Sequence, residues 1–364
     1  MALELVELDT RYERAYEGLL NVCPSAMIYH SLSFRRFLKE FLPSSVSDHY
    51  LLAFDGEELL GALPTFVTNG PLGPVLNSLP FFGSHGGVLL KPNAKPVVFR
   101  FLTDALVTFC QSQKVRFATI IDTPFTSNEI ELQNTFNFQY SDQRIGQLTS
   151  LPSGTDSEKV SEMLFGLYHK KTRNIVRKAL RNDLELAFDY DQSSQTLKEL
   201  HALHESNIMG LGGIPKPKEF FDVISNQLLE DNDYRIYTAR SKSGELVCGL
   251  MLLYFKDMVE YFVPATTESV LSAQPLSALI FLSMRDAILE RQAKIWNWGG
   301  TWLSQDGVYH FKSRWGTTDR TYKYYTRVFS DPAVLQDVDR KTLQNGYPWF
   351  YTVPFSTLNL DSSE

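Results

Sequence analysis

The segment WNWGGTWLSQDGVYHFKSRWGTT, residues 296–318, crowds tryptophans, a tyrosine and a phenylalanine around one lysine, Lys312. Helical spacing over Val308–Trp315 puts Val308, Lys312 and Trp315 on one face, with Phe311 beside it. The lysine then points where apolar residues point, and an unpaired buried ammonium is costly. Two readings follow. Its stem can cover Trp315 while the ammonium reaches water. Alternatively it is a cation aimed into a cleft, binding an anionic group or stabilising an oxyanion. The Asn297-Trp298-Gly299-Gly300 run follows an expected strand, so its glycines lie at the C-terminal edge of a sheet, where ligands of α/β sheets bind.

Two further stretches carry chemistry. HKKTRNIVRKALR, residues 169–181, holds six Lys and Arg residues and no acid to pair with them. On a helix, Lys170, Arg173, Arg177 and Arg181 share a face, and phosphate is the natural ligand for such a face. SLPFFGSHGGVLL, residues 78–90, sets His85 among Gly83, Gly86 and Gly87. The glycines allow close backbone approach to a ligand, and His85 can donate or accept there. The plainer reading is a turn histidine with no role. His201 and His204 are three residues apart with no third ligand near, so they read as structural and no metal site is expected. The sequence shows no phosphate-binding P-loop, GxSxG or HExxH pattern.

These residues need elements to hold them. The 364 residues exceed what one core usually organises, so two domains are expected. With 43% hydrophobic and 21% charged residues, the composition is that of an ordinary globular protein. A net charge of −7 argues against a protein coated in nucleic acid. Cys23, Cys110 and Cys248 are scattered, which fits a reducing compartment. The N-terminus lacks a signal-peptide pattern and no apolar run is long enough to span a bilayer, so a cytoplasmic location is expected.

The chain repeats its own plan. HYLLAFDGEELLGALPTFV (49–67) and YRIYTARSKSGELVCGLMLLYF (234–255) each read strand, Gly-Glu turn, strand. Gly56 and Gly244, and likewise Gly61 and Gly249, are both offset by 188 residues. Each copy leads to a helix, Pro96–Gln113 or Pro275–Arg291, and then a strand, 115–121 or 293–299. The reading is an α/β chain with mixed sheets and two similar domains, 1–150 and 151–330. A C-terminal extension, 331–364, follows, its tail partly disordered. Pro152-Ser153-Gly154 links the domains. A single helix is expected from a cap at Thr155 or Ser157 to about Asn182.

RNIVRKAL (173–180), YFVPATTE, the QPLSALIFLSMRDAILERQAKIWNWGGT run and GVYHFKSRWGTT together resemble the Fem family. Its members are bacterial aminoacyltransferases of peptidoglycan cross-bridges, with FemAB-like relatives in the GNAT superfamily. The resemblance covers about residues 165–328 well and the N-terminal half in layout only. It implies two tandem GNAT-like domains and acyl or aminoacyl transfer to an amine. Lys312 matches the family's FK lysine, with an implied role at the developing oxyanion. Phe311 and Trp315, with Trp298, wall the cleft. Arg173, Asn174 and Arg177 place phosphates, and Tyr261 matches the aromatic position of the central strand. Glu260 or a water relay serves as base. The family's basic residue in the N-terminal glycine loop is absent here, where Ser84-His85-Gly86-Gly87 stands. No long coiled-coil arm fits between about 191 and 232. The junction TTESVLSAQPLS (266–277) also lacks the glycines of a coenzyme A pyrophosphate loop. The donor is thus acyl-coenzyme A held in a non-standard way or aminoacyl-tRNA, with no tightly bound cofactor. The acceptor is a small or lipid-linked envelope or surface-polysaccharide precursor. The competing readings are a non-catalytic GNAT-like module that binds a phosphorylated sugar or lipid-linked precursor, and an RNA binder using residues 169–181.

Overall fold

Both Gly-Glu hairpins form where the repeat places them. The computed structural model describes residues 2–80, 85–181, 183–191, 193–210, 212–335 and 338–358. Gly83, Ser84 and the tail 359–364 lie outside the described residues. The chain divides into two units, Met1–Arg144 with Thr321–Glu364, and Ile145–Arg320.

The first pass of unit 1 runs β1 (Leu3–Glu7), α1 (Glu13–Val22), α2 (Leu32–Phe41), β2 (Ser47–Asp55), β3 (Glu58–Gly70), β4 (Gly73–Asn77) and β5 (Leu89–Leu90). It continues with α3 (Pro96–Ser112), β6 (Phe117–Ile121), α4 (Glu129–Thr135) and the start of β7 (Tyr140–Ser150). β1 to β4 pair antiparallel in sequence order, and β4 pairs parallel with β6. α3 has the proline-led start expected of it, with the fixed φ of proline suited to a first turn. Its Phe99, Leu102 and Leu106 enter the core beside Leu63, Leu76 and Ala118.

Unit 2 takes β7 from Ile145 onward. It then runs α5 (Ser157–Leu167), α6 (Lys170–Arg181), β8 (Ala187–Tyr190), α7 (Ser194–Gly210), α8 (Lys218–Gln227), β9 (Tyr234–Arg240), β10 (Leu246–Phe255) and β11 (Met258–Thr266). α9 (Pro275–Arg291), β12 (Ile295–Thr301) and α10 (Asp306–Ser313) complete it. The strand order is β7-β12-β11-β10-β9-β8. Among the described strands of unit 2 only β11 and β12 pair parallel, as expected for strands joined by a helix. That crossover helix, α9, is apolar nearly all round. Leu279, Ile280, Met284, Ala287 and Ile288 are all buried against the sheet and its flanking helices.

The chain then returns. β13 (Thr317–Val328) pairs Tyr324–Val328 antiparallel with β6, and α11 (Arg340–Gly346) follows. Leu335, Val338, Leu343, Tyr347, Val353 and Leu358 pack with Val75 and Phe117 in one cluster. The expected boundaries at 150 and 330 therefore shift to 144/145 and 320/321, and residues 331–364 belong with unit 1. The reason is strand exchange along the chain, since β6 takes its antiparallel neighbour from β13.

The expected single helix to Asn182 is two helices. Asp156, not Thr155 or Ser157, caps α5 by accepting from the Lys159 amide at 2.9 Å. α5 ends at Tyr168, whose extended ψ of 147° breaks the helix before α6 begins.

Each unit stops its parallel pairing at a buried polar step. In unit 1 the last pair is Asn77 with Thr119, and in unit 2 it is Glu260 with Asn297. β11 and β12 both run on past that step. In unit 1 the Asn77 side chain is taken up by the C-terminal segment. It donates to the Tyr351 carbonyl and accepts from the Tyr351 amide, both at 2.7 Å.

Candidate active site

The end of β12 is the place to build from. Its sequence alternates Trp296, Asn297, Trp298, so the tryptophans share one face and Asn297 takes the other. Two strand irregularities reshape the region. β11 bulges at Phe262, where Met251 faces Val263 but Leu252 faces Tyr261. β12 bulges against β7 between Asn297 and Gly300. Gly299 lies in that bulge at φ 71°, which only glycine adopts cheaply.

On one face, Trp298 gathers an aromatic cluster. Its ring lies 5.0 Å from Tyr261, 5.6 Å from Trp315 and 6.1 Å from Phe311. The Trp298 indole N–H donates to Thr149 Oγ1 at 3.0 Å, and Thr149 donates in turn to the Trp315 carbonyl at 3.0 Å. Thr149 thereby fastens β12 to the chain just past α10. Burial holds the Tyr261 hydroxyl well above the usual phenol range, so it stays protonated and able to donate.

Asn297 organises the other side. Its Nδ2 donates to both oxygens of the buried Glu260, at 2.9 and 3.1 Å, and its Oδ1 accepts from the Gly299 amide at 3.0 Å.

Lys312 closes the arrangement. It is 6% exposed, so the ammonium does not reach out to water. Its Nζ donates to Thr301 Oγ1 at 2.9 Å and, over longer contacts of 3.3 and 3.4 Å, to the carbonyls of Gly300 and Gly299. Burial pulls its pKa down to about 8. The expected stripe of Val308, Lys312 and Trp315 is corrected here. Val308 is 42% exposed, and α10 ends at Ser313, before Trp315. The Trp315 side chain is buried because the chain turns sharply at Gly316 (φ 73°), where a Cβ would lie 2.9 Å from the Leu167 carbonyl.

The basic helix adjoins this turn. The His169 amide donates to the Arg314 carbonyl at 2.9 Å, tying the start of α6 to the end of α10. Arg173 is half-buried, whereas Asn174 and Arg177 are exposed. The Arg177 guanidinium lies 5.0 Å from the Phe165 ring centroid. None of the six cations forms an ion pair among the described residues.

His85 belongs to unit 1 and is 1% exposed. Its Nδ1 bonds the Asp122 carbonyl at 2.8 Å, and its ring packs against Tyr322 and Tyr29. Burial lowers its pKa to about 4, so it is neutral at neutral pH. These are the contacts of a core histidine. His204 is likewise structural, its Nε2 accepting from the Lys216 amide. Among the described residues no group of His, Cys, Asp and Glu could hold a metal, and no helix is long and apolar enough to cross a membrane.

Sequence reasoning missed three contributors. Asn297 stood in view as a polar residue between tryptophans, a buried-polar signal. Thr301 adjoined the quoted glycines. Thr149 lies too far away in sequence for any local pattern to find it.

The junction before α9 was expected to lack a backbone cradle for pyrophosphate. Residues Glu268–Ala273 form a 3-10 turn there, and the amides of Val270, Gln274 and Ser277 are spent on carbonyls of the same turn.

Residues 170–313 match the family described as Acetyltransferase (GNAT) domain. No curated protein matches the chain by sequence. Among solved structures, FemX superposes with TM-score 0.68 at 12% identity, covering 88% of this chain and 96% of its own. A tandem GNAT protein from the clavulanic acid biosynthesis pathway gives TM-score 0.55 at 11% identity, covering 91% and 99%. The C-terminal domain of a putative lysylphosphatidylglycerol synthetase from Agrobacterium fabrum gives TM-score 0.51 at 12% identity, covering 89% and 93%. The chain therefore has the FemAB-like fold of two tandem GNAT-like domains, with its GNAT acetyltransferase match in the second.

Proposed function

We propose that this protein is a cytoplasmic N-acyl- or aminoacyltransferase acting on an amine of a cell-envelope or surface-polysaccharide precursor. The observation that carries the reading is the Glu260–Asn297–Gly299–Lys312 chain of hydrogen bonds. It sets a carboxylate and a buried cation at the step where β11 and β12 stop pairing. The amine nitrogen forms a new C–N bond at the donor carbonyl. The C–S bond of a thioester, or the C–O bond of a tRNA ester, then breaks. Glu260 takes the nitrogen's proton directly or through a water, and the thiol or hydroxyl leaves protonated. Lys312 offsets negative charge as the carbonyl oxygen develops it, exchanging its long carbonyl contacts for that oxygen. Tyr261, Trp298, Phe311 and Trp315 pack on the face of β12 away from Asn297 and hold β12 and α10 in place beneath the site. Arg173, Asn174 and Arg177 place donor or acceptor phosphates. His85 is assigned to the core of unit 1 and not to substrate.

The glycine-free junction before α9, with three of its amides already bonded to nearby carbonyls, favours aminoacyl-tRNA over acyl-coenzyme A as donor. The test pairs the purified protein with acetyl-coenzyme A or with charged tRNA and an amino-bearing envelope precursor. Amide product is followed by mass spectrometry. Product that disappears in Lys312→Ala, with ligand binding largely kept, supports the reading. Ligand binding without product from either donor would support a non-catalytic binding module instead.

A further inference from the structure

Helix α10 is buried at one end and bare at the other. Lys312 is 6% exposed, whereas every residue from Trp302 to Val308 is exposed. This bare tip carries Trp302, Leu303 and Val308 at 44, 60 and 42% exposure, and one acid, Asp306. At the buried end, the Arg314 carbonyl holds the start of α6, and the half-exposed Leu167 abuts Gly316. An apolar tip and a purely cationic helix are thus joined to the two ends of one short helix, a span on the order of 12 Å. The charged side chains of α6 are all cationic, in a chain of net charge −7.

We propose that this surface docks the protein on an anionic lipid bilayer. Trp302 and Leu303 enter the headgroup region, and Lys170 and Lys171 at the start of α6 meet the lipid phosphates. An RNA partner would use the cations but would leave Leu303 without a role, since an aliphatic side chain offers no stacking plane. A bilayer uses both. Tryptophan favours the interface, leucine gains by burial at the acyl boundary, and each cation near an anionic surface adds attraction. With no spanning helix among the described residues, docking by this surface is peripheral and reversible. The docking stands on these residues alone; only its purpose, carrying the unit 2 site to a lipid-linked acceptor, rests on the transfer reading.

The experiment is co-sedimentation of the full chain with vesicles. One set is phosphatidylcholine alone, and the other is phosphatidylcholine and phosphatidylglycerol in equal parts. The protein should pellet with the mixed vesicles only, and less as salt rises. Trp302→Ser with Leu303→Ser should weaken binding about tenfold or more. Lys170→Glu with Lys171→Glu should weaken it about fivefold or more per site. All four positions are exposed, so circular dichroism and melting should match the parent. The proposal is overturned if the protein stays in solution with mixed vesicles, or pellets equally with neutral ones. It is also overturned if Trp302→Ser with Leu303→Ser changes nothing, or if the chain binds tRNA and not vesicles. Amide formation on a soluble acceptor is measured separately, so failure here leaves the transfer reading standing.

Discussion

Glu260 and Lys312 are joined through a single bulged turn of backbone. The Asn297 amide holds Glu260, its carbonyl oxygen takes the Gly299 N–H, and the Gly299 carbonyl faces the Lys312 ammonium. Acid and cation therefore depend on one side chain that need touch no substrate. Asn297→Ala removes two donations to a buried carboxylate and strips the Gly299 amide of its acceptor. The expected cost is about 1–3 kcal/mol of stability, since buried groups lose partners. Turnover should fall at least about tenfold as the bulge relaxes. Urea denaturation and steady-state kinetics measure the two. Full activity in Asn297→Ala would remove the chain of hydrogen bonds from the mechanism.

Lys312 makes stability and turnover respond to pH in opposite directions. An unfolded lysine keeps its proton up to about 10.5, whereas the folded one loses it near 8. Between these values the unfolded chain binds more protons, so this group's contribution to stability rises as pH climbs from about 8 to about 10.5. Below about 8 the full cost of the buried ammonium is present. On the proposed oxyanion role turnover needs the cation, so kcat should decline as pH rises through about 8. In Lys312→Met both trends should vanish. Turnover should drop by about two to three orders of magnitude, as for loss of an oxyanion-stabilising group. Melting at neutral pH should fall little or improve, because a buried charge gives way to an apolar side chain of similar length. A Lys312→Met protein that keeps the alkaline decline would assign that limb to another group.

Thr149 gives a test of positioning without charge. It accepts from Trp298 and donates to the Trp315 carbonyl. Thr149→Val keeps the shape but leaves a buried indole N–H and a carbonyl without this partner, at about 1–3 kcal/mol. The expected kinetic effect is a lower kcat with KM little changed, because α10 is held less firmly while the phosphate-placing residues of α6 are untouched. Thr149→Ser should restore most of the loss. A Ser variant no better than Val would show that the hydroxyl does not hold α10 in place.

The sequence carried the fold well wherever order along the chain matched order in space. The hairpin repeat, the proline-led helices and the strand before Gly299 all follow from local spacing, and all are present. What it hid is non-local. β13 pairs with β6 from the far side of unit 2 in sequence, so a boundary placed at 330, close to where the family resemblance ends, missed it. The break between α5 and α6 falls at Tyr168, and the one local sign of it is Gly166 in the last turn of α5, which by itself does not end a helix. In the candidate site, the aromatic residues and Lys312 were legible because they are adjacent in sequence. The burial of Lys312 was not, because its acceptors are two backbone carbonyls and a threonine on a neighbouring strand. His85 read either as a ligand contact among glycines or, more plainly, as a turn histidine, and the packing of its ring against Tyr322 and Tyr29 is non-local.

Asn77 ends the parallel pairing of unit 1 at the step where Glu260 ends it in unit 2, and the two residues should fail differently. The Asn77 side chain is fully engaged with the backbone of Tyr351, which leaves it no part in chemistry. Tyr351 is itself fixed, its ring 4.8 Å from Tyr324 and its hydroxyl donating to Asp142 at 3.0 Å. Asn77→Ala unpairs the half-buried amide and carbonyl of Tyr351 in the C-terminal segment. The expected loss is about 1–3 kcal/mol of stability, with faster amide hydrogen exchange around Tyr351 and turnover unchanged below the melting range. Glu260→Gln should do the reverse. The shape and size of the side chain are kept but one of its two contacts with Asn297 Nδ2 becomes donor against donor, so melting should fall by no more than Asn297→Ala costs, while removal of the proposed base should lower kcat about a hundredfold or more. Melting curves and kinetics on both variants separate a bracing step in unit 1 from a reacting one in unit 2. Loss of turnover in Asn77→Ala, in protein that is still folded, would show that unit 1 contributes to the reaction beyond support.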